Sequence, residues 1–320
     1  MEAPDRELFE ASLRHALDRQ SGAALDQALD DLGWRDALTT DAQSAVSVLF
    51  ALQGFGNASS SALSEVVAFA LGREDARDAA VVLPALGQSV PPGRLTDGTL
   101  TVRGLSLVPL MARPTMVVVA RVDGHDRSFD IATADLTWRH PEGLDSRLGL
   151  VEVEGEDLTV GAGPPLDAGA WSTAVALAQV ALAHELVGAA RQMLELARAH
   201  ALERIQFGRP ISDFQAVRHR LAETLVAIET AQSMLEAAWR DQSAITAAMA
   251  KALAGRGTRT AARHCQQVLA GIGFTTEHEF HRYVGRVFVL DQLFGTARSL
   301  TKDLGVHLLE SRQLMALPPL

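Results

Sequence analysis

The chain is 320 residues long, 48% hydrophobic and 21% charged, which is enough apolar material for two or three packed regions around a sizeable core. Its 29 basic residues are scattered among 39 acidic ones, and the formal net charge of −10 excludes a sequence-independent hold on nucleic acid, because neutralising phosphates needs concentrated Lys and Arg. A single cysteine, Cys265, excludes an intramolecular disulfide and a multi-cysteine zinc site.

Residues 1–75 read as a small helical domain. Leu8, Phe9, Leu13 and Leu17 recur at three- and four-residue spacing. A second run from Asp41 carries Val46, Leu49 and Phe50 up to a break at Gly54 and Gly56, and a third from Ser61 carries Leu63, Val66, Val67 and Phe69 up to Gly72. The first residues hold no basic stretch ahead of an apolar one, and no later segment approaches twenty uninterrupted apolar residues. The expectation is a cytoplasmic protein with no membrane partner.

Residues 76–160 change character, with β-branched residues accumulating between turn signals. A strand is expected from Thr99 after the Asp97, Gly98 turn, a buried one over 115–122, and a hairpin through Asp123 and Gly124 into 128–131. From 168 to 320 the signal is helical again. The stretch 171–203 is apolar on nearly every side, 214–239 keeps a stripe of Phe214, Val217, Leu221, Leu225, Ile228, Leu235 and Trp239, and further helices run over 243–269 and 280–309 with a break at Gly295. Four or five long antiparallel helices make a bundle, and core packing accounts for most apolar positions in it.

Two segments joining these helices carry chemistry. Segment 204–215 offers Arg204, Phe207, Gly208, Phe214 and Gln215, and segment 267–277 offers Gln267, Gly271 and Gly273. A guanidinium, primary amides and glycines that admit close backbone approach suit the phosphates of a dinucleotide. The same residues also allow a plainer reading, in which Arg204 caps a helix end and the glycines only make a turn.

Arg-x-x-Phe-Gly, then Phe-Gln, then Gln-x-x-x-Gly-x-Gly, in that order, resembles the acyl-CoA dehydrogenase family. The sequence of helical domain, β-domain and bundle resembles it too, over essentially the whole chain and most closely over 177–295. The resemblance implies a mainly α fold with a small, barrel-like central β-domain and a C-terminal four-helix bundle, and FAD as cofactor. It places Arg204 at the FAD pyrophosphate, Phe207 against the cofactor and Gln215 nearby, with Gln267 and Gly271 at the same nucleotide. In this family these groups serve an FAD lying mainly in a neighbouring subunit. Ala270 stands where the family usually has glycine, and Arg298 where many members carry glutamine.

The larger departures concern catalysis. The family's reaction needs a carboxylate to remove the α-proton of an acyl-CoA thioester while a hydride leaves the β-carbon for the flavin. Phe294 and Ala178 occupy the two places where that carboxylate stands. The Thr-Glu-Pro and Gly-Ser-Asp that bond the flavin ring are replaced by the apolar stretch 79–87. His184, Glu185 and Asp291 remain as candidates for displaced catalytic groups. Glu277, His278, Glu279 and His281 have metal-ligand chemistry, but the family carries a similar segment without metal, so none is expected. The resemblance thus implies a truncated subunit without its own base. Its partner would be a full-length dehydrogenase, as in the α2β2 enzymes with which actinobacteria oxidise steroid-derived CoA thioesters, passing electrons to an external acceptor. The alternatives are a self-sufficient homo-oligomer with a relocated base, and a non-enzymatic assembly scaffold.

Overall fold

The computed structural model describes residues 3–73, 79–143 and 145–312. The expected boundary at 75/76 and the end of the bundle, 313–320, lie outside the described residues. The chain opens with five helices, α1 (Ala3–Leu17), α2 (Ala23–Asp31), α3 (Trp34–Thr40), α4 (Ala42–Gly56) and α5 (Ala62–Ala70). Sequence periodicity resolves only three of them. Gly22 at φ 64° and Gly33 at φ 71° split the stretch after α1 into the two short helices α2 and α3, in conformations that glycine adopts without a steric penalty. Leu13 and Leu17 are buried as their spacing predicts, whereas Leu8, expected on the same face, is 70% exposed.

Eight strands follow: β1 (Ala79–Val81), β2 (Leu83–Pro84), β3 (Gly93–Thr96), β4 (Thr99–Leu107), β5 (Thr115–Val122), β6 (His125–Ala132), β7 (Thr137–Arg139) and β8 (Leu150–Thr159). They form one sheet in the order β1-β5-β3-β4-β8-β7, with β2 on β4 and β6 on β5. Both Asp-Gly turns are made as expected, with Asp97 and Asp123 at φ 51° and Gly98 and Gly124 at φ 82°. The hairpin after Asp123 pairs Val122 with His125 through to Thr115 with Ala132.

The rest is helical: α6 (Ala170–Glu203), a hairpin of β9 (Ile205–Gln206) and β10 (Arg209–Pro210), α7 (Gln215–Asp241), α8 (Ala244–Leu269), α9 (Phe280–Gln292) and α10 (Ala297–Ser311). By length and composition α6 is apolar enough to cross a membrane, but 78% of its apolar window is buried, as befits the core helix of a bundle. Leu225, read as part of the α7 stripe, is 46% exposed.

The described residues fall into two compact units. One takes those up to Val46, those between Ala58 and Ala178, and Gln292–Gly295; the other takes Ser47–Asn57, Gln179–Asp291 and those from Thr296 onward. In the first, the Trp171 indole N–H donates to the Ser89 carbonyl at 3.0 Å and fixes the start of α6. Arg35 bonds Glu65 at 2.6 Å, and the Ser64 hydroxyl accepts the Val81 N–H at 3.1 Å, joining α5 to β1.

In the second unit the end of α4 crosses α6 backbone to backbone. A Cβ on Gly188 would overlap the Ala51 carbonyl, and one on Gly54 would overlap the Glu185 carbonyl. Both contacts are backbone and cannot yield, so the crossing requires glycine on each helix. Gly188→Ala is expected to cost about 1–3 kcal/mol, seen as a fall of several degrees in the thermal unfolding midpoint.

Candidate functional site

The α6–α7 connection is a two-residue hairpin in which Gln206 pairs with Arg209 and Ile205 with Pro210. Its central residues, Phe207 and Gly208, sit at φ 53° and φ 78°. Left-handed φ at both positions makes a tight hairpin turn of the type that matches strand twist, and it suits Gly208. Phe207 is different, because a bulky side chain in that region is strained, and this ring is 92% exposed. Burial within the chain therefore offsets little of the strain. Behind it, Phe214 stacks edge-on with Phe207 at 6.1 Å and carries the Arg209 guanidinium 4.4 Å over its ring.

Arg204 follows the last turn of α6. Its N–H bonds the His200 carbonyl at 2.9 Å and its carbonyl accepts the Ile211 N–H at 2.8 Å, so its backbone is held while its side chain is exposed. Among the described residues no ion pair or side-chain hydrogen bond engages the guanidinium. Gln215, exposed, opens α7.

The second segment closes α8. Gln267 and Gly271 are exposed, whereas Gly273 is buried. A Cβ on Gly273 would press on the Gln266 amide and the Leu269 side chain, so that glycine serves local packing. Gly271 has no such need: a Cβ there meets nothing within 4 Å, and its φ is not left-handed. The absent side chain leaves room for a group from outside the chain. Ala270 adopts φ 52°, ψ −133°, a glycine-type conformation in which the methyl is strained. The two segments share an end of this unit, since His264 near the end of α8 lies 3.2 Å from the Arg220 carbonyl near the start of α7.

The candidate base positions hold no carboxylate, with Phe294 and Ala178 both fully buried. Asp291 is tied into structure. Its Oδ1 accepts the Ala297 N–H at 3.0 Å, its Oδ2 pairs with Arg259, and its carbonyl accepts from the Lys251 ammonium at 3.2 Å. Burial pushes the Lys251 amine down to about 8, with Asp291 opposing. Glu185 is buried 3.7 Å from an equally buried Arg286 guanidinium. His184 accepts the Trp239 indole N–H at 2.9 Å and is pushed by burial down to about 4, so it is neutral at physiological pH. No group of three or more His, Cys, Asp or Glu fit to hold a metal occurs among the described residues. The lone Cys265 is buried, with its thiol pushed up to about 12.

A helical N-terminal region, one mixed sheet and a long-helix bundle with two strained or glycine-marked turns at one end define an acyl-CoA dehydrogenase-type scaffold. Residues 170–309 match the family model described as the acyl-CoA dehydrogenase C-terminal domain. It is similar to the acyl-CoA dehydrogenase IpdE2 of Mycolicibacterium smegmatis, with 29% identity over 71% of this chain and 77% of that one. Its match to IpdE2 of Mycobacterium tuberculosis is 37% identical and spans 42% of each chain, less than half that relative's length. Among solved structures it shares its fold with the Tcur3481-Tcur3483 steroid ACAD (TM-score 0.80, 21% identity, 97% and 99% of the two chains) and with the ChsE4-ChsE5 complex from Mycobacterium tuberculosis (0.80, 19%, 99% and 99%). A glutaryl-CoA dehydrogenase of the same fold from Mycobacterium smegmatis is solved with FADH2 (0.78, 16%, 98% and 97%).

Two stability outcomes follow from this geometry. Ala270→Gly is expected to stabilise the chain by about 1 kcal/mol, measured by denaturant unfolding, because glycine adopts the observed φ and ψ without strain. His184 is protonated more readily in the unfolded chain, near 6.5, than in the folded one, near 4, so its contribution is intact above pH 6.5 and lost as pH falls toward 4. That loss amounts to about 3 kcal/mol, and His184→Gln should flatten this part of the stability–pH curve.

Proposed function

We propose that this chain is the base-deficient subunit of a two-component, FAD-dependent acyl-CoA dehydrogenase. In this reading it lends Arg204, Phe207, Gln215, Gln267 and Gly271 to the ADP half of an FAD held mainly by a full-length partner, and that partner supplies the carboxylate base. The observation that carries the reading is Phe207, a bulky residue kept in a strained conformation and almost wholly exposed beside the exposed Arg204. Strain with so little burial to offset it is expected where an external ligand completes the contact. Gly271, whose missing Cβ opens space outward, fits the close approach of a phosphate.

FAD, when bound, would supply the hydride acceptor for the substrate β-carbon, and this chain's own residues would position the cofactor's far end. The Arg204 guanidinium suits a bidentate contact with pyrophosphate oxygens, Gln215 and Gln267 offer amide donors, and the Phe207 ring would cover the cofactor. The carboxylates nearest to the lost base positions are engaged elsewhere, Asp291 with Arg259 and the α10 N-terminus and Glu185 beside Arg286. The likeness in fold to a steroid ACAD and to a two-protein complex supports a bulky, steroid-derived CoA thioester as substrate and a two-component assembly. In this reading the assembly is α2β2 and cytoplasmic, and electrons leave to a separate acceptor.

Arg204→Ala should weaken FAD retention by the complex about ten- to a hundred-fold, or roughly 1.5–3 kcal/mol, with Arg204→Lys intermediate; flavin fluorescence at limiting FAD reads this out. Unchanged retention would assign Arg204 to structure alone. Amide substitution of Glu185, Glu203, Glu277 or Asp291 should leave turnover nearly intact in a complex of normal assembly and flavin content, whereas removing a true base costs on the order of 10²–10⁴ in kcat. A loss of that size in any one of the four would favour a self-sufficient enzyme. No turnover with any dehydrogenase partner would favour a scaffold.

A further inference from the structure

The hairpin between α6 and α7 carries a second guanidinium left without a counter-charge. Segment 204–215 holds one acidic residue, Asp213, and Arg218 takes it at 3.7 Å while donating from Nε to the Ser212 carbonyl at 2.7 Å. Arg209 is exposed, and among the described residues no ion pair or side-chain hydrogen bond engages it. Its guanidinium rests 4.4 Å over the half-buried Phe214 ring, which in turn meets the exposed Phe207 ring edge-on at 6.1 Å. Contact with a ring face restrains a long side chain and leaves its N–H groups available.

The strand register places Arg209 beside Arg204. Gln206 lies opposite Arg209 and Ile205 opposite Pro210, and the Ile211 N–H bond to the Arg204 carbonyl at 2.8 Å extends the ladder one pair further. Side chains alternate along a strand and directly opposed residues share a face, so Arg204, Gln206 and Arg209 leave one face of the hairpin and Ile205 and Pro210 the other. Arg204 and Arg209 are diagonal neighbours on that face, about 7–8 Å apart at the backbone, a span that two long side chains close. Two like charges so placed repel each other unless an anion lies between them.

We propose that Arg209 is a second phosphate-binding cation of this site, held in place by Phe214, so that the hairpin grips the cofactor's pyrophosphate between two guanidinium groups. This rests on the reading of Arg204 as a pyrophosphate contact. A pyrophosphate carries charge on both phosphates, and one guanidinium fork matches the oxygens of one of them, which leaves the other for Arg209. The Gln206 amide on the same face adds a neutral donor. Phe214 acts through Arg209 and is a positioning residue: by restraining the side chain beforehand it lowers the entropy lost on binding.

The test titrates the full chain with ADP, and with adenosine as the phosphate-free control, by ligand-observed saturation-transfer NMR. Arg209→Gln should lower the affinity for ADP about tenfold and leave that for adenosine unchanged, and Arg209→Lys should recover part of the loss. Phe214→Leu should lower the affinity for ADP about two- to fivefold in the wild-type chain and not at all in Arg209→Gln, because the ring acts through the guanidinium. Equal ADP affinity in Arg209→Gln and wild type overturns the proposal; if Arg204→Ala weakens ADP in that same case, the pyrophosphate reading of Arg204 survives alone. A Phe214→Leu loss of the same size in both backgrounds overturns the role given to the ring. If ADP binds no better than adenosine to the wild-type chain, both readings fail together.

Discussion

One buried carboxylate organises the C-terminal helices. Asp291 joins α8 to the break between α9 and α10, pairing with Arg259, receiving the first N–H of α10 and, through its carbonyl, anchoring Lys251. A Cβ on Gly255 would crowd the same carboxylate, so the packing of α8 against it depends on a glycine. A buried charge is tolerated only when paired and hydrogen-bonded, and breaking such a pair is costly because the surviving charge stays buried. The acid group three residues before Phe294 is thus committed to holding the turn. Three residues on, Phe294 is buried, and it cannot accept a proton.

This arrangement separates scaffold from chemistry. The bundle keeps α6 through α10, a close crossing of α4 on α6 and the two turns that follow α6 and α8. The turn after α6 exposes Arg204 and Phe207, with Arg209 over the Phe214 ring behind them. The same chain that spends Asp291 and Glu185 on internal ion pairs leaves the Arg204 guanidinium exposed. Such an asymmetry suits a subunit that contributes to a cofactor site without running the reaction on its own carboxylates.

Much of the fold was legible because local rules and tertiary demands agree. The Asp-Gly turns require left-handed backbone that those residues adopt readily, and the long apolar runs of α6 and α8 have a length and period that only a bundle core explains. What the sequence hid is of two kinds. Short helices such as α2 and α3 have too few turns for periodicity, so glycine breaks alone mark them, and the exposure of Leu8 and Leu225 depends on neighbours that no local pattern encodes. Buried charge is the other kind. Lys251, Arg286 and Asp291 look like surface residues until partners distant in sequence are brought against them. The candidate site divides in the same way. Arg204, Phe207 and Gly271 were picked out by motif spacing, whereas the strain at Phe207 needed the folded turn.

Flavin stoichiometry tests the central claim most directly. The chain should be purified alone and again after co-expression with a full-length dehydrogenase partner, and FAD per chain measured by absorbance against protein concentration. A colourless chain alone and a yellow complex with one FAD for each pair of unlike chains is the predicted result. A yellow, active homo-oligomer carrying one FAD per chain would contradict it.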